Sequence, residues 1–136
     1  MNIYSISRAI VRRLSATAAL IAVVVTAACM SVSPNQRIAE DMLHSARDSY
    51  TAGNYTRTIQ ILHDSNEIQT SSRKTRIEAY KLMAFSYCVI GRITLCRAEF
   101  EKVLQLDPHF ELSTAEKGHP IWGPAFDAAR RHLASS

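Results

Sequence analysis

Three cysteines and five histidines are the side chains with most chemistry to offer in this chain of 136 residues. Cys88 and Cys96 lie three residues before and five after Gly91. If Gly91 forms a turn, the two sulfurs sit on the arms of one hairpin and within reach of a disulfide. The other reading is two small buried thiols, because cysteine is a common core residue. A zinc site would need a CxxC or HxxxH partner set, and none accompanies them. His109 and His119 are ten apart with no carboxylate pair, so no metal is expected there. Glu99 and Glu101, two apart on a helical stretch, point away from each other. The sequence offers no nucleophile–base pairing, paired carboxylates or glycine-rich phosphate loop. The expectation is therefore a protein that is not an enzyme, with no cofactor and no small-molecule substrate.

The elements that must position these residues read as helices. Ser33-Pro34-Asn35-Gln36 has the form of a capping box, with Ser33 as N-cap, Pro34 at the first helical position and Gln36 at the third. Ile38, Met42, Ala46 and Tyr50 recur at helical spacing, widened by Ala39 and Leu43. Gly53-Asn54 ends that helix, and Ile59, Ile61 and Leu62 mark a shorter second one. Residues 64–74 are polar and read as a connection, with Ser71 or Ser72 as the N-cap of a third helix. That third helix carries Ile77, Tyr80, Ala84, Tyr87 and Cys88 and breaks at Gly91. A fourth carries Leu95, Ala98, Phe100, Val103, Leu104 and Leu106 and stops at Asp107-Pro108. Strand-type alternation is absent, so the fold class expected is all-α.

Between Leu106 and Arg131 the spacing predicts a looped connection and a last helix. Ser113 to Glu116 forms a second capping box, Gly118 suits the C′ position after a single turn, and Pro120 and Pro124 restart a helix near Trp122. Trp122, Phe126, Ala129 and Leu133 have the spacing of an apolar face. Two readings stand here. One is a ledge for a protein partner formed by His109, His119, Trp122, Arg130 and Arg131. The other is an apolar clasp with a solvated charged tip, in which Trp122 is substantially buried.

The N-terminus supplies a compartment. Arg8, Arg12 and Arg13 precede an uncharged apolar run from Leu14 to Ala28, ending in small residues before Cys29. This is the layout of a secretory signal peptide, and the run of about 15 residues is shorter than the roughly 20 that span a bilayer. An oxidising compartment would favour the Cys88–Cys96 bond. Thr26-Ala27-Ala28-Cys29 also resembles the lipobox of bacterial lipoproteins, with Thr26 where that family usually has leucine. The resemblance implies a signal peptide over residues 1–28, lipidation at Cys29, a tether over 29–32 and a helical domain over 33–136. The other outcome is ordinary cleavage after Ala28. Met30 is not the aspartate that marks inner-membrane retention, so the resemblance implies an outer-membrane anchor facing the periplasm. Removing residues 1–28 takes three arginines from the 16 Lys+Arg that face 12 Asp+Glu, leaving 13 against 12. Bulk charge therefore gives no support for a nucleic-acid partner.

Residues 77–108 resemble a tetratricopeptide repeat. Tyr80, Met83, Ala84, Tyr87, Gly91, Ile93, Cys96, Phe100, Val103 and Pro108 fall on its ten signature positions, with Ile93 in place of the usual tyrosine and Cys96 in place of alanine. Residues 38–70 form a weaker copy around Tyr50, Gly53, Tyr55, Thr58 and Leu62. The two turn glycines are 38 apart instead of 34. Two repeats need a cap, which the segment from Trp122 to Leu133 would supply. The lipobox, the two repeats, a cysteine on each hairpin arm, Leu106-Asp107-Pro108-x-Phe110-x-Leu112 and Gly118-His119-Pro120-x-Trp122-Gly123-Pro124 together resemble the TssQ-type lipoproteins associated with the type VI secretion system. The resemblance implies a membrane-anchored adaptor whose protein partners belong to that system's envelope complex. A lipoprotein of another envelope assembly, such as pilus, outer-membrane or cell-wall machinery, has the same architecture.

Overall fold

The computed structural model describes residues 32–135. The signal segment, Cys29 and all but the last residue of the tether lie outside the described residues. The described residues form seven helices and contain no strand, so the domain is all-α.

Helix α1 (Pro34–Thr51) starts as its cap predicts, the Ser33 hydroxyl accepting from the Gln36 amide at 3.2 Å. Gln36 does not close the box back onto Ser33. Its side chain donates to Glu40 and Thr75 and accepts from the Ser72 amide at 2.7 Å, tying α1 to a helix 36 residues away. The buried face is Ala39, Leu43 and Ala46, while Ile38 is 51 % exposed. The apolar stripe is thus rotated from the Ile38 line. The two alanines lie on the buried side because their small side chains let neighbouring backbones approach.

The turn after α1 occurs twice. Ala52, Gly53 and Asn54 amides donate to the carbonyls of Asp48, Tyr50 and Ser49; 38 positions on, Ile90, Gly91 and Arg92 donate to Ser86, Cys88 and Tyr87. Gly53 and Gly91 adopt φ values of 77° and 76°, the left-handed conformation that closes a helix most easily with glycine. Two residues after each glycine the return helix begins: α2 (Tyr55–Leu62) and, later, α5 (Ile93–Leu106). The same offset relates Ala46 to Ala84, Thr58 to Cys96 and Leu62 to Phe100, and all six are essentially inaccessible.

Between the hairpins, the expected connection is partly helical. Asn66–Gln69 forms α3, capped by Ser65 and anchored by Ile68, which is 1 % exposed. A lone isoleucine in a polar run carries no periodicity, which is why the sequence reads as a loop there. Ser72 caps α4 (Arg73–Val89), and this helix packs against α1, α2, α3 and α5. It is buried on nearly all sides from Met83 to Cys88. On α5 the buried residues are Cys96, Glu99, Phe100, Val103 and Leu104; Leu95, read among the apolar residues of this helix, and Ile93, at a signature position of the repeat, are exposed.

The chain then runs through α6 (Thr114–Lys117) into α7 (Trp122–Ala134). The capping box at Ser113 and Glu116 is complete. Gly118 comes next with φ −74°, so α6 closes without a left-handed residue. Helix α7 lies across α5 and α4 and covers the end of the second hairpin. Phe126 and Ala129 are fully buried, and an aromatic chain links Phe85, Phe100, Phe126 and Phe110 with centroid separations of 5.2–6.2 Å. Edge-to-face pairs of this kind add about 0.5–1.5 kcal/mol each beyond their area burial. Trp122, expected to be substantially buried, is half-buried at the margin of this core.

Candidate functional site

Cys88 and Cys96 are joined by a disulfide, with Cα atoms 5.1 Å apart. The hairpin turn brings them there, since Cys88 lies in the last turn of α4 and Cys96 in the first turn of α5. Cys88 Sγ lies 3.8 Å from the Ile121 carbonyl oxygen, so the bond sits beneath the entry to α7.

The segment before α7 is fastened to both of its neighbours. Lys81 on α4 pairs with Glu116 at 3.1 Å, and Phe85, one turn on, packs on Trp122 at 4.6 Å. The Trp122 indole donates to the Glu116 carbonyl at 3.0 Å, and the His119 ring stacks on the indole with centroids 3.3 Å apart and planes 4° from parallel. Gly123 completes the fit: a Cβ there would come within 2.6 Å of the Lys117 carbonyl oxygen, a clash with backbone. On the other side Arg130 donates to the Phe110 carbonyl, pairs with Glu111 at 2.8 Å and lies 4.9 Å over the Phe126 ring. Lys117 pairs with the same Glu111 at 2.6 Å.

Burial alone would raise the Glu116 carboxyl pKa. The Ser113 backbone amide, the Lys81 ammonium and the Ser113 hydroxyl bonds outweigh it, and the group titrates below its ordinary value.

The five residues of the expected ledge fall in different settings. His119 and Trp122 form a stacked pair. Arg130 is held by Phe110, Glu111 and Phe126 and braces the loop. His109 and Arg131 are exposed, and no hydrogen bond or ion pair among the described residues joins either to the stack. The clasp occupies the Lys81–Phe85 face of α4.

Open clefts lie elsewhere on the described residues, and two of them are well formed. One, about 390 Å³, is largely apolar and runs between the C-terminal ends of α5 and α7, lined by Leu104, Pro108, Arg130 and Leu133. The other, also about 390 Å³, is polar and lies where the α2–α3 connection meets α4 and α5; His63, Asp64, Gln69, Arg76, Tyr80 and Lys102 line it. Leu62 and Ile68 supply its apolar floor. Glu99, which holds the lining residue Lys102 at 2.7 Å through one oxygen, is 5 % exposed, and its other oxygen has no hydrogen-bond partner among the described residues. Burial raises the Glu99 pKa, against the pull of Lys102 and His63. Sequence reading missed this cluster. Glu99–Lys102 and Arg76–Tyr80 are legible as helical neighbours, but the left-handed Asp64 and the single-turn α3 that bring His63 and Asp64 over them are not.

Among the described residues, no group of three or more histidine, cysteine or acidic side chains is placed to hold a metal, and no helix is long and apolar enough to cross a membrane. No protein family, curated protein or solved structure matches the chain.

Proposed function

We propose that this protein is a lipid-anchored adaptor of the bacterial envelope, built from two tetratricopeptide-like repeats and a C-terminal cap. The observation that carries the reading is the duplicated hairpin: the same three-bond turn, the same left-handed glycine and the same buried positions recur 38 residues apart. Stacked helical hairpins of this type present surfaces to protein partners, not reaction centres. The lipobox-like Thr26-Ala27-Ala28-Cys29 supports an anchor at Cys29, and residues 30–32 would start the domain within roughly 15 Å of the bilayer, at about 3.5 Å per extended residue. A lipid at one end and a recognition surface close behind it raises a partner's effective concentration at the membrane. The TssQ-like motifs favour the type VI secretion envelope complex as the machine served, from the periplasmic face of the outer membrane.

The test is metabolic labelling with a fatty-acid analogue, then crosslinking and pull-down from envelopes. Labelled protein that loses its label on Cys29→Ser, and that recovers secretion-complex components, is the expected result. Unlabelled protein in the soluble periplasmic fraction overturns the anchor. Recovery of pilus or cell-wall machinery alone reassigns the adaptor to another assembly.

A further inference from the structure

We infer that the polar cleft between the α2–α3 connection, α4 and α5 is a binding site for a carboxylate group. The inference stands on the cleft itself and holds whichever envelope machine the protein serves.

The fold leaves this cleft open while it closes the neighbouring face. Arg76 and Tyr80 lie one turn apart on α4, and Lys81 and Phe85 lie on a face turned by roughly 140° at 3.6 residues per turn. The second face is covered by Glu116 and Trp122; the first is only partly covered, by Lys102 over the Tyr80 ring and by the His63–Gln69 segment at the rim of the cleft. A volume of about 390 Å³ is in the range of small-molecule and side-chain pockets.

Its formal charges balance, Arg76 and Lys102 against Asp64 and Glu99, but they are not all paired. Asp64 faces His63 at 2.9 Å, and Lys102 is held by Glu99 while lying 5.3 Å over the Tyr80 ring. Arg76 is left over. Its guanidinium has no hydrogen-bond or ion-pair partner among the described residues, and its Nε is buried without one. A buried donor left unmade is costly, and a guanidinium is satisfied best by the paired oxygens of a carboxylate. Lys102, already bonded to Glu99, keeps its side chain about half exposed on the same wall. Glu99 completes the picture: nine-tenths buried, half-satisfied, and placed so that its charge opposes an incoming anion. Asp64 holds a left-handed φ of 54°, uncommon for a residue with a side chain, at the lip of the cleft. Backbone strain of this kind concentrates at binding sites.

A carboxylate could come from an acidic side chain of a protein partner or from a free dicarboxylate, and two probes separate these. The full chain in detergent micelles, labelled with ¹⁵N, is titrated with glutarate and with a capped five-residue peptide of alanines around one glutamate. The readout is the Arg76 Nε–Hε resonance. Saturable shifts with the acidic peptide, and none with its glutamine counterpart, are expected. Arg76→Gln should weaken binding, monitored on backbone amides, by about tenfold, as loss of a charge-assisted bidentate contact does. Lys102→Gln should weaken it less, and Glu99→Gln should tighten it by removing the opposing charge. Tighter binding of the peptide than of glutarate assigns the site to a protein partner, and the reverse assigns it to a free acid. The inference is overturned if neither probe saturates, or if Arg76→Gln and Lys102→Gln both fold with wild-type melting and bind as wild type does.

Discussion

The two hairpins share a turn but not a means of holding their arms together. In the first, α1 and α2 cross at the buried Thr58, whose single hydroxyl proton is shared between the Ala46 carbonyl at 3.3 Å and the Asn54 carbonyl of its own turn at 3.2 Å. In the second, the residue 38 positions after Thr58 is Cys96, and the crossing of α4 and α5 is secured by the disulfide to Cys88. The return helices differ as well, eight residues in α2 against fourteen in α5. The short arm ends at a connection that must fold back through α3 to bury Ile68. The long arm carries the face on which α7 rests. One chain thus uses the same turn for two purposes: a hairpin that leaves a polar cleft at its end, and a braced hairpin that supports the cap.

If the second hairpin carries the larger share of stability, truncating its central aromatic should do most damage. Phe100 touches Phe85 and Phe126 and is fully buried. Its counterpart Leu62 is equally buried but belongs to no aromatic chain. Phe100→Ala is expected to cost about 3–5 kcal/mol and Leu62→Ala about 2–3 kcal/mol, toward the lower end of buried leucine truncations. Either is a large share of a small domain's total. Urea unfolding of both variants decides the matter; equal losses would mean that the two hairpins are equally loaded and that the bracing is incidental.

The next effect is the brace itself. Reducing the pair, or replacing both cysteines by serine, opens a loop of about nine residues, for which the chain-entropy model gives about 2–3 kcal/mol. The expected result is a lower unfolding midpoint with the helical circular dichroism intact below the transition. Because Cys88 Sγ sits against Ile121, proteolysis should then appear first in residues 107–121. A cut first in the α2–α3 connection would place the weak point in the other hairpin and reverse the comparison.

Legibility from sequence divides along the same line. The second hairpin was legible almost throughout, because its glycine, its small residues and its proline stop are tied to sequence positions that a helical period makes visible. The cysteine pair was legible for the same reason. The first hairpin was legible as helices, and Ala39, Leu43 and Ala46 lay on the stripe read from sequence; only Ile38 was misplaced, because the stripe was wider than the face that packing buries. The role of Arg130 was not legible, because its partners, Glu111 and the Phe110 carbonyl, lie about 20 residues away in a loop whose path the helical period does not give. Glu99 gave no sign of burial, since a carboxylate on a helix normally faces water. Arg76, Lys102 and the His63–Asp64 pair belong to three separate elements, and only the left-handed Asp64 joins them.

The smallest expected effect separates the two regions by the sign of a titration. Glu116, which ties the clasp to the second hairpin, has its pKa held below the ordinary 4.5 by Ser113 and Lys81 in excess of the opposing effect of burial. A carboxyl depressed in the fold contributes stability that is present above its unfolded value and is lost as pH falls through the folded one. Glu99, which holds Lys102 at the open cleft, is shifted the other way by burial. Its contribution is present below the unfolded value and is lost as pH rises through the folded one. Each should amount to about 1 kcal/mol, the scale of a partly exposed ion pair. Glu116→Gln is therefore expected to destabilise at pH 7 and to match wild type well below pH 4.5, whereas Glu99→Gln should be neutral in acid and stabilising at pH 7. Thermal melts of the two variants across that range would show the curves diverging in opposite directions. If both variants instead lost stability at pH 7, the unpaired oxygen of Glu99 would have a partner in solution, and the cleft would be a closed structural network with no vacancy for a ligand.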